Sequence, residues 1–170
     1  MTTYLVLTLI GKDKPGLVEQ LAETIAIHSG NWLESSMSQL AGKFAGILRV
    51  SVPDEQADNL TAALGNLSSG LKLVIEKAEP ESASENQQTV TLNLVGNDRP
   101  GIIREISHVL AKLGVNVEDL ETDCVPAPMT GDVLFKAQAQ LKVPSETELA
   151  TLQTALEKLA DDLIVEIQLG

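Results

Sequence analysis

The chain has 170 residues, is 44% hydrophobic and 21% charged, and carries a net charge of −12. That composition suits a globular protein with a modest core in each half. It argues against nucleic acid as a direct partner, because phosphates must be neutralised by Lys and Arg. Residues 1–80 hold six basic against nine acidic groups, and residues 81–170 hold six against fifteen. Only Tyr4, Trp32, Phe44 and Phe135 are available for stacking. The same charge disfavours an anionic membrane surface, and no apolar run approaches the ~20 residues that span a bilayer. Met1-Thr2-Thr3-Tyr4 lacks the basic start of a signal peptide, and the single Cys124 has no partner for an internal disulfide. A cytoplasmic location is expected.

The chain reads as one module written twice. Tyr4–Ile10 is nearly all apolar and predicts a strand, with Thr89–Val95 as its counterpart. The turn Gly11-Lys12-Asp13-Lys14-Pro15-Gly16-Leu17 follows the first strand and recurs as Gly96-Asn97-Asp98-Arg99-Pro100-Gly101-Ile102, 85 residues later. Pro15 and Pro100 suit the start of a helix, and Asp13 and Asp98 precede that start as candidate caps. Leu17, Val18, Leu21 and Ile25 make one helical stripe; Ile102, Ile103, Ile106, Val109, Leu110 and Leu113 make the other. Gly30 and Gly114 are placed to end these helices. Asn31–Leu40 and Asn116–Val125 then read as second strands, and Phe44–Val52 and Asp132–Val143 as third strands.

The second copy carries six extra residues, assigned to a loop at 125–131 that holds Pro126, Pro128 and Gly131. Ser145 and Glu148 fit a capping box before a stripe of Leu149, Leu152, Leu156 and Leu159, matched by Leu60, Leu64 and Leu67. Leu71–Ile75 and Leu163–Leu169 close the two copies as strands. The predicted fold class is α+β: two ferredoxin-like βαββαβ modules, each a four-stranded antiparallel sheet with two helices on one face. The expected division is 1–79 for the first module, 80–88 for a polar linker and 89–170 for the second.

Asp-x-Pro-Gly-(Leu/Ile) after the first strand, with Asn opening the second, resembles the ACT domain, a small regulatory module that commonly binds amino acids. The resemblance covers nearly the whole chain. Two such modules in tandem are similar to the glycine cleavage system transcriptional repressor family, which implies a non-enzymatic regulator that contacts a DNA-binding activator protein and responds to glycine. The alternatives are a ligand-independent adaptor and a detached regulatory subunit of an amino-acid metabolic enzyme. The resemblance implies effector-binding residues where a first loop meets the second strand of a neighbouring module. On this chain these are Gly11, Asp13, Pro15, Gly16, Leu17 and Asn31, and Gly96, Asp98, Pro100, Gly101, Ile102 and Asn116.

The chemistry suits an amino-acid zwitterion. Uncapped amides and the dipole at a helix N-terminus favour a carboxylate. Glycine allows close backbone approach. Asp can pair with an ammonium group, and Asn both donates and accepts. The same residues would also make a well-built helix start in a protein that binds nothing. Open sheet edges predict pairing between modules and a homo-oligomer.

No catalytic residue, cofactor or metal site is predicted. His28 aligns with Leu113 and His108 with Glu23, so neither histidine repeats, and both are expected at the surface. Cys124 has no base paired with it in the sequence. Trp32 reads as core or interface packing. Glu118, Asp119, Glu121 and Asp123 read as a solvated acidic face, with Glu118 and Asp119 on opposite faces of a strand. Gly11-x-Asp13-x-x-Gly16 is not a dinucleotide fingerprint, since it lacks the second glycine and the parallel βαβ context.

Overall fold

A computed structural model describes residues 1–67, 70–80 and 85–170. The chain divides into two compact units, Met1–Glu81 and Ser82–Gly170. Unit 1 contains β1 (Thr2–Lys12), α1 (Leu17–Ile27), β2 (Asn31–Leu40), β3 (Lys43–Pro53), α2 (Asp54–Gly65) and β4 (Lys72–Lys77). Unit 2 repeats the order as β5 (Gln87–Asn97), α3 (Ile102–Lys112), β6 (Asn116–Pro126), β7 (Val133–Pro144), α4 (Leu149–Glu157) and β8 (Ile164–Leu169). Both sheets are antiparallel, ordered β2-β3-β1-β4 and β6-β7-β5-β8. Of the linker expected at 80–88, residues 81–84 lie outside the described residues, and Gln87 and Gln88 belong to β5, where they pair with Pro144 and Val143.

Strand alternation builds each core. Leu5, Leu7 and Leu9 on β1 and Leu48, Val50 and Val52 on β3 point to one face, where Leu21 and Ile25 of α1 and Leu60 and Leu64 of α2 cover them. Val90, Leu92 and Leu94 play the same part in unit 2, beneath Ile106 and Leu110 of α3 and Leu152 and Leu156 of α4. Within the predicted stripes, Val18 and Ile103 fall outside this buried set and stay exposed at 46% and 36%.

Several local expectations are corrected. Each helix start is set by a glycine, Gly16 at φ 90° and Gly101 at φ 87°, whose carbonyls accept from Gln20 and Glu105. No side chain caps either helix, so Asp13 and Asp98 are not caps, and Pro15 and Pro100 stand two residues before the first helical turn. The capping box at Ser145 and Glu148 does not form. Instead the Thr147 amide donates to the Pro144 carbonyl, and this turn delays α4 until Leu149. Pro126, expected in the loop, continues β6; an edge strand tolerates the proline because one side of its backbone needs no donor. A bulge at Glu118 interrupts the alternation expected between Glu118 and Asp119, and both remain exposed.

Gly30 does not occupy the left-handed position that ends α1; Ser29 does, at φ 59°. The Ser29 and Gly30 amides donate to Ala26 and Ile25, the pattern of a Schellman cap. In unit 2 the equivalent residue is Gly114, at φ 71°. A serine there carries a steric cost that glycine avoids, partly offset by the greater freedom of glycine when unfolded. Ser29→Gly is therefore expected to raise stability by about 0.5–1 kcal/mol in urea unfolding. Gly30 has a different role: a Cβ on it would meet the Ile25 carbonyl oxygen at 2.9 Å.

Candidate functional site

The two turns between first strand and first helix share one backbone and differ in side-chain engagement. Asp13, Pro15 and Gly16 are exposed in unit 1, as are Asp98, Pro100 and Gly101 in unit 2. Gly11 and Gly96 are buried, and close packing requires them. A Cβ would meet Leu71 Cδ2 at 2.7 Å in the first and Leu163 Cδ1 at 2.9 Å in the second. Leu17 and Ile102 are core residues, 3% and 7% exposed. A Cβ on Gly16 or Gly101 would meet nothing within 4 Å, so these glycines are required by their positive φ.

Asn31 and Asn116 stand apart from these turns within their own units. Asn31 pairs with Ser51, which lies opposite Tyr4 near the start of β1, whereas the turn follows the end of β1. Seven residues of strand, about 23 Å at 3.3 Å each, separate the two ends. Asn116 lies level with Thr89 in the same way. A turn and an asparagine of one unit therefore cannot hold one small ligand together.

In unit 2 the turn is tied down by its own protein. Arg99 pairs with the Glu105 carboxylate, and its Nη2 also donates to the Leu159 carbonyl at 3.4 Å. The Glu105 hydrogen bond, opposed by partial desolvation and aided by the Glu105 and Asp162 charges, raises the Arg99 pKa. The Asn97 amide donates to Asp162 Oδ2 at 2.7 Å, and the Asp98 amide to the Val133 carbonyl at 2.9 Å. The Asp98 carboxylate lies on the Cys124 side of the turn, near enough for its charge to act on the thiol of β6. In unit 1 the Asp13 amide donates to the Gly42 carbonyl at 3.1 Å, matching Asp98. Among the described residues, Lys12, Asp13 and Lys14 make no ion pair. The sequence hides this contrast because Glu105, Asp162 and Cys124 are brought to the second turn by helix, loop and edge strand; their counterparts include Gln20 and Gln39.

Cys124 is exposed, and desolvation together with the nearby Asp98 and Asp123 charges pushes its thiol pKa up. A raised thiol pKa lowers the thiolate fraction near neutrality, the opposite of nucleophile activation. Asp98→Asn removes a negative charge beside the thiol, so alkylation by iodoacetamide at pH 7.5 is expected to accelerate several-fold, with its pH profile moved to lower pH. An unchanged profile would contradict an effect of the Asp98 charge on the thiol.

His28 is half-buried rather than at the surface, with Nδ1 2.8 Å from the Thr24 carbonyl, while His108 is exposed. Trp32 packs on the first core, and its Nε1 donates to Ser35 Oγ at 3.1 Å. Among the described residues, no three His, Cys, Asp or Glu side chains converge as a metal site, and no helix is long and apolar enough to cross a membrane.

The chain is 27% identical to phosphoserine phosphatase SerB2 of Mycobacterium tuberculosis over 170 residues, which take in 95% of this chain and 39% of the phosphatase. It thus spans well under half the length of that relative. Its fold matches the crystal structure of an unknown protein from Galdieria sulphuraria with a TM-score of 0.87, at 27% identity over 100% of this chain and 99% of that one. It also matches a structure provisionally named a glycine cleavage system transcriptional repressor, with a TM-score of 0.70, at 16% identity over 100% and 99% of the two chains. The ACT domain profile covers residues 3–77 and again 88–170. With the repeated βαββαβ topology and the paired Asp-x-Pro-Gly turns, this places the chain in the ACT domain family, as two ACT domains in tandem.

Proposed function

We propose that this chain is a non-enzymatic regulator that senses a small amino acid, glycine among the candidates, and signals through protein contact. The observation that carries the reading is the free Lys12-Asp13-Lys14 turn at the uncapped start of α1. Asp13 can take an effector's ammonium group, while the first-turn amides of α1 and the flanking lysines favour its carboxylate. In unit 2 the matching Arg99 is committed to Glu105 and Leu159, so the first turn is the working site. In a homo-oligomer, Asn31 or Asn116 of a second copy of the chain completes it.

Protein contact is supported by the open face of sheet 1. Tyr4, Ile10, Ile47 and Val74 lie there, 46–58% exposed, while the matching positions of unit 2 are Thr89, Val95, Gln138 and Glu166. An exposed apolar set of this kind marks an association surface, for a homo-oligomer or a regulatory protein. The name of the repressor-like structure agrees with a regulator of transcription; action through a DNA-binding activator, in the cytoplasm, is the form proposed here. The acidic charge agrees with one that does not itself bind DNA. The likeness to a phosphoserine phosphatase favours one second reading, a regulatory subunit working beside an enzyme of amino-acid metabolism.

A thermal-shift screen of the twenty amino acids tests the sensing claim, because a ligand of the native state raises apparent stability. At least one small amino acid is expected to raise Tm by a few degrees at millimolar concentration; no shift with any of them would remove the claim. Co-purification with a large catalytic protein would favour the second reading.

A further inference from the structure

The two helix layers carry opposite charge on one shared frame. α1 and α2 together hold five acidic residues and no basic one: Glu19, Glu23, Asp54, Glu55 and Asp58. All five are exposed. The equivalent layer of unit 2 presents Arg104 and Lys112 on α3 and Lys158 at the end of α4, also exposed. Among the described residues, none of these three cations makes an ion pair. The acidic groups of the same two helices are already engaged: Glu105 pairs with Arg99, and Glu157 accepts from Gln153.

The reversal is in register. The 85-residue repeat sets Glu19 against Arg104, Glu23 against His108 and Ile27 against Lys112. Spacing of four residues puts each trio on one helix face. That face is turned away from the buried Leu21 and Ile25 in α1, and from Ile106 and Leu110 in α3. Ala26 and Ala111 share it, so a second backbone can come close, and Ile27 adds an apolar side chain that is 71% exposed. In a chain of net charge −12, most surfaces of two copies repel. Cations gathered on one helix face mark where an acidic surface is admitted.

We propose that the α1 face of one copy docks on the α3 face of a second copy. A second copy is the occupant because the chain itself supplies the acidic counterpart, on the same helix frame with the same spacing. Either helix direction pairs Glu23 with His108, and Glu19 with a cation: Lys112 when antiparallel, Arg104 when parallel. A two-fold dimer makes this contact twice. The doubling matters because one helix pair, about 16 Å long, is short of the roughly 1,600 Å² of a standard interface. The contact is separate from the open face of sheet 1 and does not depend on the effector reading.

Sedimentation of the full-length chain at micromolar concentration tests this, and the native chain is expected to be a dimer. Glu19→Lys with Glu23→Lys makes the α1 face basic; Arg104→Glu with Lys112→Glu makes the α3 face acidic. Each double variant alone should dimerise at least tenfold more weakly. Mixed in equal amounts, the two should regain native affinity as a mixed dimer. A basic α1 then meets an acidic α3, and the two unaltered faces meet each other. If a reversal fails to fold by circular dichroism, Glu19→Gln with Glu23→Gln should still weaken dimerisation several-fold. A monomeric native chain would overturn the proposal. So would native-like dimerisation of either folded double variant alone, or a mixture of the two that fails to associate.

Discussion

Gly46→Val is expected to detach β2 from β3 and to lower the stability of unit 1 by about 3 kcal/mol or more. Gly46 pairs with Met37, and a Cβ on it would lie 2.8 Å from Met37 Cα and closer still to the Ser36 carbonyl oxygen. Those are backbone atoms of the neighbouring strand, so no side-chain rotation relieves the clash. The edge strand must move away, which would also withdraw Trp32 and Met37 from the first core. Unit 2 has Ala137 at the matching position, paired with Thr122, and accommodates that methyl group. Ala137→Gly should therefore cost only about 1 kcal/mol, chiefly through backbone freedom. Urea unfolding of both variants checks the pair, and a loss below 1 kcal/mol for Gly46→Val would contradict the packing described.

Leu7→Ala is expected to cost about 2–5 kcal/mol. Leu7 is fully buried at the centre of β1, between Leu48 on β3 and Ile75 on β4, beneath both helices. Truncation removes apolar area and leaves a cavity that a central strand, fixed by hydrogen bonds on both sides, can close only in part. By contrast, Arg99→Ala breaks an ion pair whose members are 36% and 45% exposed. Its effect on stability should stay within about 1 kcal/mol. Urea midpoints of the two variants give the comparison.

The fold was legible because the repeat, the alternation of Leu5, Leu7 and Leu9, and the helical spacing of Leu17, Leu21 and Ile25 all report burial, which dominates the energy. Local endings were less legible. Ser29 holds a left-handed backbone because the Schellman hydrogen bonds outweigh its side-chain preference, and the sequence suggested Gly30 instead. Asp13 and Asp98 looked like caps because the left-handed φ of Gly16 and Gly101, which moves the helix start beyond their reach, cannot be read from residue type. The capping box at Ser145 lost to a turn closed by Thr147.

Of the candidate site, the turns were legible through Asp-x-Pro-Gly. The separate reasons for each residue were not. Gly11 and Gly16 look alike in sequence, yet one lies packed under Leu71 and the other is needed for its φ. The placement of Asn31 at the far end of its own sheet follows from strand direction and needed the register to be seen. The tethering of the second turn by Arg99–Leu159 and Asn97–Asp162 depends on long-range contacts that spacing does not encode.

Isothermal titration of glycine, or of whichever amino acid raises Tm most, into the native chain and its Asp13→Asn and Asp98→Asn variants tests the sensor account most directly. Native protein and Asp98→Asn should bind with similar affinity, while Asp13→Asn should bind at least tenfold more weakly. No binding heat in the native chain, or undiminished affinity in Asp13→Asn, would contradict it.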